Sequence, residues 1–317
     1  MKSRDPAKPT VAFLWHEGDA PGWKARMVEI LGDFDMRTYS EICDPDDIDY
    51  AVVWMPPLGE LRRYRNLKGV FSVAAGISHI LRDPQFPRHV PIVRLSDEAL
   101  NLDMVCHAIH WVLHFHRGYN QCLRSQQRRA WARPKYRANS QRSVGILGMG
   151  TIGVAIASQL RDLQFDVSGW SRTPKEISGV SSYHGHDRLE DFLQRTDILV
   201  SLLPPTPSTI GLIDRQKLSL MPIGSFIINI GRGEVFVDAD LVELVDKEHI
   251  AGAALDVFST EPLPPDSPYW GHPNFYVTPH IAGPTSIDYG ARRIAENIRR
   301  MMLGQVPNTV ADVSLGY

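Results

Sequence analysis

Three ionisable residues in the second half of the chain could act together on a small anionic substrate. Arg232 lies between two glycines, Glu261 precedes a proline, and His280 lies between Pro279 and a run of small residues. A guanidinium can bind a carboxylate through two parallel hydrogen bonds. Histidine is the usual proton donor near neutral pH, and a carboxylate beside it favours its protonated form. These residue types together indicate acid–base chemistry.

Each of the three residues lies just beyond a short apolar run that is typical of a buried strand. The runs are Ser225–Asn229, Ala253–Asp256 and Phe275–Thr278. Open α/β sheets bind ligands at the carboxyl ends of their strands, so we expect the three side chains at one sheet edge. An isolated arginine, glutamate or histidine is often structural. The shared edge is therefore what favours a functional interpretation.

A glycine-rich turn near the middle of the chain predicts dinucleotide binding. It follows the strand Val144–Leu147 and opens an apolar helix. We expect Gly148 to permit the tight turn, Gly150 to let the backbone approach a pyrophosphate, and Gly153 to let helix and strand pack closely. The expected contacts in this turn are Gly148, Met149, Gly150, Thr151, Ile152 and Gly153.

The end of the next predicted strand, Asp166–Trp170, indicates which dinucleotide binds. An NAD site usually has an acidic residue about 20 residues after the glycines, where it binds a ribose hydroxyl. This chain has a hydroxyl, a guanidinium and an ammonium group there instead, contributed by Ser171, Arg172, Thr173 and Lys175. Such groups suit a 2′-phosphate. We therefore predict NADP, as NADPH, with NAD as the second candidate.

Composition excludes several classes of function. The net charge of -2 lacks the basic excess of a nucleic-acid-binding protein, and no segment has the length and apolarity of a membrane span. The three cysteines have no C-x-x-C spacing, so neither a disulfide framework nor a zinc site is expected. The N-terminus lacks the apolar region of a secretory signal. We expect a cytoplasmic protein with a small-molecule substrate.

The 317 residues favour two domains, because a single core of this size is unusual. Short strands at Val11–Trp15, Ala51–Met55 and Val70–Ala74 predict an α/β unit before the glycine turn, and a helix at Ser286–Leu303 should return to it. We predict an α/β fold with two doubly wound parallel sheets. A Rossmann nucleotide-binding domain, residues 104–283, is inserted into a flavodoxin-like substrate domain, residues 1–103 and 284–317.

One predicted helix, Asn101–Gln121, carries histidines that invite a different interpretation. His107, His110 and His114 share one helical face, a spacing that could bind a metal. No carboxylate shares this face, so we favour a core or subunit-contact helix and expect no metal. The basic segment Arg124–Arg142 after it is predicted to be a loop, either solvated or in contact with a second subunit.

Four motifs together resemble the D-isomer-specific 2-hydroxyacid dehydrogenases over nearly the whole chain. They are the turn at Gly148–Gly153, Gly231-Arg232-Gly233, Asp256–Leu263 and Pro279–Ala282. By this resemblance Arg232 binds substrate, His280 donates a proton, and Glu261 is the carboxylate partner of the histidine. The similarity is greatest to the NADP-preferring glyoxylate/hydroxypyruvate reductases of the family, through Val53–Pro57, Ala74–Ile77, the Trp131 loop and Trp170–Arg172.

The same resemblance implies further contacts. It places a substrate carboxylate at Ala75, Gly76 and Ile77, and small residues at a strand end do expose N–H groups to an anion. A plain turn is the alternative there, and Trp54 is either a wall of the substrate pocket or a partly buried aromatic residue. Besides Arg232 and His280, expected cofactor contacts are Leu203, Pro204, Pro205, Thr209, Ile230, Gly231, Asp256, Ala282 and Gly283.

The predicted reaction is the reduction of glyoxylate or hydroxypyruvate to the D-2-hydroxy acid by NADPH, with His280 as proton donor. One alternative keeps the chemistry but takes a bulkier 2-oxo acid such as phenylpyruvate. Another is a protein that senses dinucleotide and binds protein partners, because a fold alone does not determine function. The presence of Arg232, Glu261 and His280 favours an enzyme. The resemblance also suggests a homodimer that forms through the predicted helix Asn101–Gln121.

Overall fold

The computed structural model describes residues 8–74, 76–95 and 98–313. Its contacts divide the chain into two compact units, Met1–Leu100 with Thr285–Tyr317, and Asn101–Pro284. In the described part of the chain, no helix is both long and apolar enough to cross a membrane.

Strands and helices alternate along most of the chain, which is the pattern of parallel α/β sheets. The strands are β1 Thr10–Leu14, β2 Asp35–Thr38, β3 Tyr50–Val53, β4 Gly69–Ser72, β5 Ile92–Val93, β6 Ser143–Leu147, β7 Asp166–Ser171, β8 Ser181–His184, β9 Ile198–Ser201, β10 Ser225–Asn229, β11 Ile250–Leu255 and β12 Phe275–Val277. The α-helices are α1 Ala20–Leu31, α2 Ser78–Leu81, α3 Glu98–His116, α4 Tyr119–Gln127, α5 Thr151–Asp162, α6 Leu189–Gln194, α7 Arg215–Leu220, α8 Asp238–Asp246 and α9 Ile287–Met302.

The first unit is built on a five-stranded parallel sheet in the order β2-β1-β3-β4-β5. This is the flavodoxin-like order. Alternate residues of a strand point to opposite faces, so Val11 and Phe13 enter one core and Ala12 and Leu14 the other. Helices α1 and α9 cover the Val11 face and pack against each other.

The second unit has a seven-stranded sheet in the order β12-β11-β10-β9-β6-β7-β8. All pairs are parallel, and the order reverses between β6 and β9. This is the Rossmann arrangement, whose reversal point is where ligands bind. Leu147 and Leu199 enter one core, and Ile146 and Val200 enter the other. The predicted class, two doubly wound parallel sheets, is confirmed.

Three details of the sequence prediction are wrong. Strands β2, β5 and β8 were not predicted, because β5 has only two residues and neither β2 nor β8 has the apolar run or clear alternation of a buried strand. The single helix predicted at 101–121 is two helices, and the segment predicted as a loop begins inside the second, α4. The break falls at Gly118, whose φ of 68° is in the left-handed region that favours glycine.

Candidate active site

The glycine-rich turn after β6 leaves open space at the point where a pyrophosphate would approach the protein backbone. Gly148 has a φ of 116°, which favours glycine, and its N–H donates to the Trp170 carbonyl at 2.9 Å. A Cβ at Gly153 would overlap the Gly148 carbonyl oxygen, so only glycine allows α5 to begin this close to the turn. A Cβ at Gly150 would meet no atom within 4 Å. That space can admit a pyrophosphate.

The start of α5 suits an anion. Gly150 is its N-cap residue and makes no side-chain cap, so the first N–H groups of the helix remain available to a ligand phosphate. Met149 contributes only backbone here, since its side chain is buried and packs where a Cβ of Gly169 would lie. These residues fit the phosphates of a dinucleotide.

Polar and basic groups follow β7. The Ser171 hydroxyl donates to the Thr173 carbonyl at 2.8 Å, which holds the chain in a turn. Arg172, Thr173 and Lys175 are exposed beyond it. The segment 171–175 contains two cationic side chains and no carboxylate, as a 2′-phosphate site requires.

The loop after β9 is held in shape from within. Leu203 is buried in the core, whereas Pro204 and Pro205 are partly exposed. The Thr209 hydroxyl donates to the Pro204 carbonyl and accepts from the Thr206 N–H at 2.7 Å. Thr209 was expected to contact the cofactor, but its hydroxyl is already used inside the loop. We therefore reinterpret it as a residue that shapes the loop.

Asn229, at the end of β10, positions the loop of Arg232. Its side chain donates to the Arg232 carbonyl at 3.0 Å and accepts from the Gly231 N–H at 3.2 Å. The Arg232 guanidinium in turn donates to the Gly231 carbonyl at 2.6 Å. Asn229 is buried and was not among the predicted site residues. An amide at a strand end just before Gly-x-Gly is the sequence signal that could have identified it.

The glycines beside Arg232 allow close backbone packing. A Cβ at Gly231 would lie 2.8 Å from the Leu203 carbonyl oxygen, and one at Gly233 would overlap the backbone of Phe258 and Ser259. Neither position can therefore hold a side chain, because backbone of the neighbouring loops lies against both glycines. The packing holds the Arg232 loop against the loop that carries Glu261.

His280 and Glu261 are joined by a hydrogen bond in the second unit. His280 Nδ1 lies 2.8 Å from Glu261 Oε2, and Glu261 Oε1 accepts the Phe258 N–H at 3.0 Å. Burial by itself would raise the pKa of Glu261. The hydrogen bond and charge of His280, the Phe258 amide and the Arg232 charge outweigh burial and lower this pKa below its usual value. Glu261 is therefore a carboxylate at neutral pH.

Arg232 is a partly buried cation. Burial lowers its pKa and the attraction of Glu261 and Glu234 opposes that shift, but an arginine stays protonated in proteins. A partly buried guanidinium has given up some of its hydration, so an incoming carboxylate meets a smaller desolvation cost and a stronger attraction. Arg232 is suited to bind the anionic end of a substrate.

Asp256, directly after β11, fixes the turn that carries His280. Its carboxylate accepts hydrogen bonds from the Thr278 hydroxyl, from the Ile281 N–H at 2.9 Å and from the Ala282 N–H at 2.8 Å. Its carbonyl accepts the His280 N–H at 2.9 Å. Asp256 was predicted to contact the cofactor. Because its buried carboxylate is bonded to the turn, we reinterpret it as a positioning residue.

The remaining predicted contact residues differ in whether their side chains or only their backbone could reach a ligand. The side chains of Ile230 and Ala282 are buried in the core, so only their backbone could meet a ligand, and Gly283 follows in the same turn. In the first unit, the Ser72 hydroxyl donates to the Ala74 and Gly76 carbonyls, and Ile77 is buried. Trp54 is partly buried, with its ring 4.8 Å from the His79 ring. Ala75 lies outside the described residues.

The histidines of α3 belong to an aromatic cluster. His107 Nε2 accepts the Trp111 indole N–H at 3.0 Å, and the His114 ring lies 5.1 Å from Trp111 and 5.0 Å from Tyr276. Burial lowers the pKa of both His107 and His114. Across residues 8–74, 76–95 and 98–313, no three His, Cys, Asp or Glu side chains are grouped as a metal site. The cluster is thus explained by ring packing.

A cavity of about 610 Å³ lies between α8 and the loop after Phe258. Acidic side chains line it, among them Asp238, Glu243 and Asp266. Such a lining repels the anionic substrate and phosphates that Arg232 and the glycine turn suit. We therefore place the chemistry at Arg232, Glu261 and His280 and not in this cavity.

Comparisons with known proteins agree with this geometry. The model of the D-isomer specific 2-hydroxyacid dehydrogenase NAD-binding domain matches residues 109–282. Glyoxylate/hydroxypyruvate reductase A of Photorhabdus laumondii is 40% identical over 304 residues, which cover 94% of this chain and 97% of that protein. A similar protein from Serratia proteamaculans is 36% identical over the same shares of both chains.

Solved structures extend the match to the whole fold. A D-isomer specific 2-hydroxyacid dehydrogenase from Xanthobacter autotrophicus, in complex with NADPH and MES, has a TM-score of 0.89 and 36% identity, covering 98% of this chain and 100% of that one. The NADPH-dependent glyoxylate/hydroxypyruvate reductase of Sinorhizobium meliloti, in complex with NADP and sulfate, has a TM-score of 0.89 and 33% identity over the same shares. The chain belongs to the D-isomer specific 2-hydroxyacid dehydrogenase family.

Proposed function

We propose that this protein is an NADPH-dependent reductase that converts glyoxylate or hydroxypyruvate to the D-2-hydroxy acid. The observation that carries the proposal is the 2.8 Å contact between His280 Nδ1 and Glu261 Oε2, together with the packing of the Glu261 loop against the loop of the partly buried Arg232. A proton donor and an anion-binding cation thus lie at the carboxyl ends of neighbouring strands of a dinucleotide fold.

NADPH would be held by the glycine turn, the N-terminus of α5 and the groups after β7. When bound, the cofactor supplies the hydride that reduces the substrate carbonyl carbon. Gly150 and the first N–H groups of α5 would bind its phosphates, and Arg172 and Lys175 would bind the 2′-phosphate at the turn that Ser171 holds. The NADPH and NADP in the Xanthobacter and Sinorhizobium structures support this assignment.

His280 delivers the proton that the reduced carbonyl oxygen needs. Its Nδ1 is bonded to Glu261, which orients the ring so that Nε2 carries the transferable proton. The Glu261 carboxylate stabilises the imidazolium before the transfer, and Arg232 binds the substrate carboxylate and draws electron density from the carbonyl. Each charge that forms therefore meets an opposite charge already in place.

The assignment of a small 2-oxo acid rests on the relatives. The Photorhabdus and Serratia proteins are glyoxylate/hydroxypyruvate reductases A, and both match nearly the whole chain. Contacts of Trp54, Ala75, Gly76 and Ile77 with the substrate remain predictions. A bulkier substrate such as phenylpyruvate and a role in binding protein partners remain the rival hypotheses.

Steady-state oxidation of NADPH tests the proposal. Glyoxylate, hydroxypyruvate and phenylpyruvate are compared, each with NADPH and with NADH. We expect the highest kcat/KM for a small 2-oxo acid with NADPH. Preference for phenylpyruvate would overturn the substrate class, and equal kcat/KM with the two cofactors would overturn the NADPH assignment. Absence of turnover with all three acids would favour the dinucleotide-sensing protein.

We further propose that the second unit binds the dinucleotide and the first the substrate, and that the protein is a cytoplasmic homodimer. The fingerprint turn and the Rossmann sheet both lie in Asn101–Pro284, which supports the first assignment. The exposed aromatic side chains of Trp131 and Tyr136, after α4, support the dimer. Cys43, Cys106 and Cys122 are all free thiols, which suits a reducing compartment.

A further inference from the structure

The strand β8, which has no apolar pattern, ends beside the 2′-phosphate groups of the proposed cofactor site. It is the edge strand of the seven-stranded sheet and pairs only with β7 among the described strands. The register sets Ser168 opposite Ser181 and Ser171 opposite His184. The Gly185 N–H donates to the Ser171 carbonyl at 3.1 Å, which continues the pairing past the strand end. His184 is therefore the lateral neighbour of Ser171.

Ser171 and His184 project from the same face of the sheet, because paired residues of parallel strands share a face. Two residues before Ser171, a Cβ at Gly169 would overlap the side chain of Met149 from the glycine turn. Ser171 and His184 therefore lie on the face of the sheet that the glycine turn covers. Trp170 lies on the opposite face, in the core that contains Phe192.

The chemistry at this position suits a phosphate. His184 is exposed, as are Arg172 and Lys175 on the segment after β7. An imidazole has an N–H donor whether or not it is protonated, and it gains a charge when protonated. Two acidic residues, Glu176 and Asp187, lie nearby and are exposed. They come after the ends of β7 and β8, so neither belongs to the strand pairing that sets Ser171 opposite His184.

We propose that His184 is a further cofactor-specificity residue, an imidazole donor to the 2′-phosphate of NADPH from the strand next to Ser171. The inference rests on the proposed use of NADPH. It adds a second strand to the 2′-phosphate site, which sequence reasoning confined to the segment Ser171–Lys175. His184 thereby contributes to cofactor choice and to no step of the reaction.

Binding of two small probes to the intact protein tests this without turnover. Isothermal titration calorimetry gives Kd for 2′,5′-ADP and for 5′-AMP, which lacks the 2′-phosphate. For His184→Val we expect Kd for 2′,5′-ADP to rise about tenfold, the effect of losing one hydrogen bond to a charged group, with Kd for 5′-AMP unchanged. His184→Lys should restore tight binding of 2′,5′-ADP.

The matched control is His186→Val, two residues further along. The His186 ring contacts Trp170, which enters the opposite face, so this variant should leave both Kd values as in the wild type. If the wild type prefers 2′,5′-ADP and His184→Val keeps that preference, the role of His184 is overturned and NADPH use stands. If the wild type shows no preference, both proposals are overturned.

Discussion

His280 has a backbone conformation that few side chains tolerate. Its φ of 54° lies in the left-handed region, where Asn, Asp and His are enriched and β-branched residues are strained. Hydrogen bonds from its N–H to the carbonyls of Asp256 and Thr278 maintain this conformation. A substitution at His280 must therefore change the ring without adding backbone strain, and asparagine meets that condition.

We predict that His280→Asn lowers kcat for glyoxylate by about 10²–10⁴-fold, the usual contribution of a general acid. Because Asn accepts this φ, the variant should fold, and its melting temperature should fall only by the modest amount that the lost contact with Glu261 contributes. Stopped-flow kinetics and differential scanning calorimetry measure the two effects. Near-normal turnover by a folded variant would remove His280 from the proton-transfer step.

The Glu261 carboxylate stabilises the fold through the same contacts that orient His280. Its pKa is 4.5 in an unperturbed state and is lower in the folded protein. A group whose pKa falls on folding adds stability above its unfolded pKa and loses that contribution as the pH drops through the folded value. The contribution of Glu261 is thus complete at neutral pH and disappears in acid below 4.5.

We predict that Glu261→Gln lowers the free energy of unfolding at neutral pH, and that this difference from the wild type shrinks as the pH falls below 4.5. Urea denaturation at a series of pH values measures it. Glu176→Gln, in an exposed loop, serves as the control and should show little difference at any pH. A Glu261→Gln difference that is constant across the acid range would contradict the ionised pair.

At the scale of elements, loop-to-loop packing brings Arg232 to Glu261. The loops after β10 and β11 touch at Gly233, where the α-hydrogen faces the backbone of Phe258 and Ser259. Backbone atoms cannot rotate away as a flexible side chain can, so any larger residue must push the two loops apart. Gly233 therefore helps to hold the Arg232 loop beside the loop of Glu261.

We predict that Gly233→Ala destabilises the protein by about 1–3 kcal/mol, the usual cost of overpacking, and raises KM for the 2-oxo acid. Thermal unfolding and steady-state kinetics measure the two effects. Gly271→Ala is the control, because a Cβ there meets no atom within 4 Å and Gly271 has no positive φ. If both variants match the wild type, the close packing does not set the position of Arg232.

The sequence was sufficient to predict the elements whose patterns are local. The apolar runs of β6, β10 and β11 and the glycine turn were readable, and so was the proximity of Arg232, Glu261 and His280, because parallel strands share one carboxyl edge. Family membership was readable from the same motifs. The strands and the turn depend on residues that lie close together in the chain, and the proximity of the three side chains follows from the general geometry of parallel sheets.

What could not be predicted depends on contacts between distant segments. Strand β8 forms because β7 offers it a backbone edge, although Ser181–His184 has no pattern of its own. Asn229 and Asp256 hold turns through hydrogen bonds that only the folded chain reveals. The close packing of Gly231 and Gly233 against neighbouring backbone is likewise visible only in the folded chain. The sequence shows that a residue is small, but it does not show which atoms lie against it.

At the scale of the whole molecule, the segment after α4 presents aromatic side chains to solvent. Trp131 is 94% exposed and Tyr136 82% exposed, and arginines and lysine surround them at 128–137. We call residues 128–138 the arm. Arg137 fixes its far end through Asp197 at 2.8 Å. Large exposed aromatic residues on an anchored segment are typical of a surface that binds a partner.

We predict that the arm binds a second copy of the chain and that Trp131→Ser with Tyr136→Ser weakens the dimer at least about tenfold, because each buried large side chain contributes about 1.5–3 kcal/mol. Sedimentation velocity over a concentration series measures the dissociation constant. Ile223→Ser is the matched control, since Ile223 is 82% exposed but lies outside the arm. A wild type that stays monomeric at every concentration would contradict the dimer, and a double variant that dimerises normally would exclude the arm from the interface.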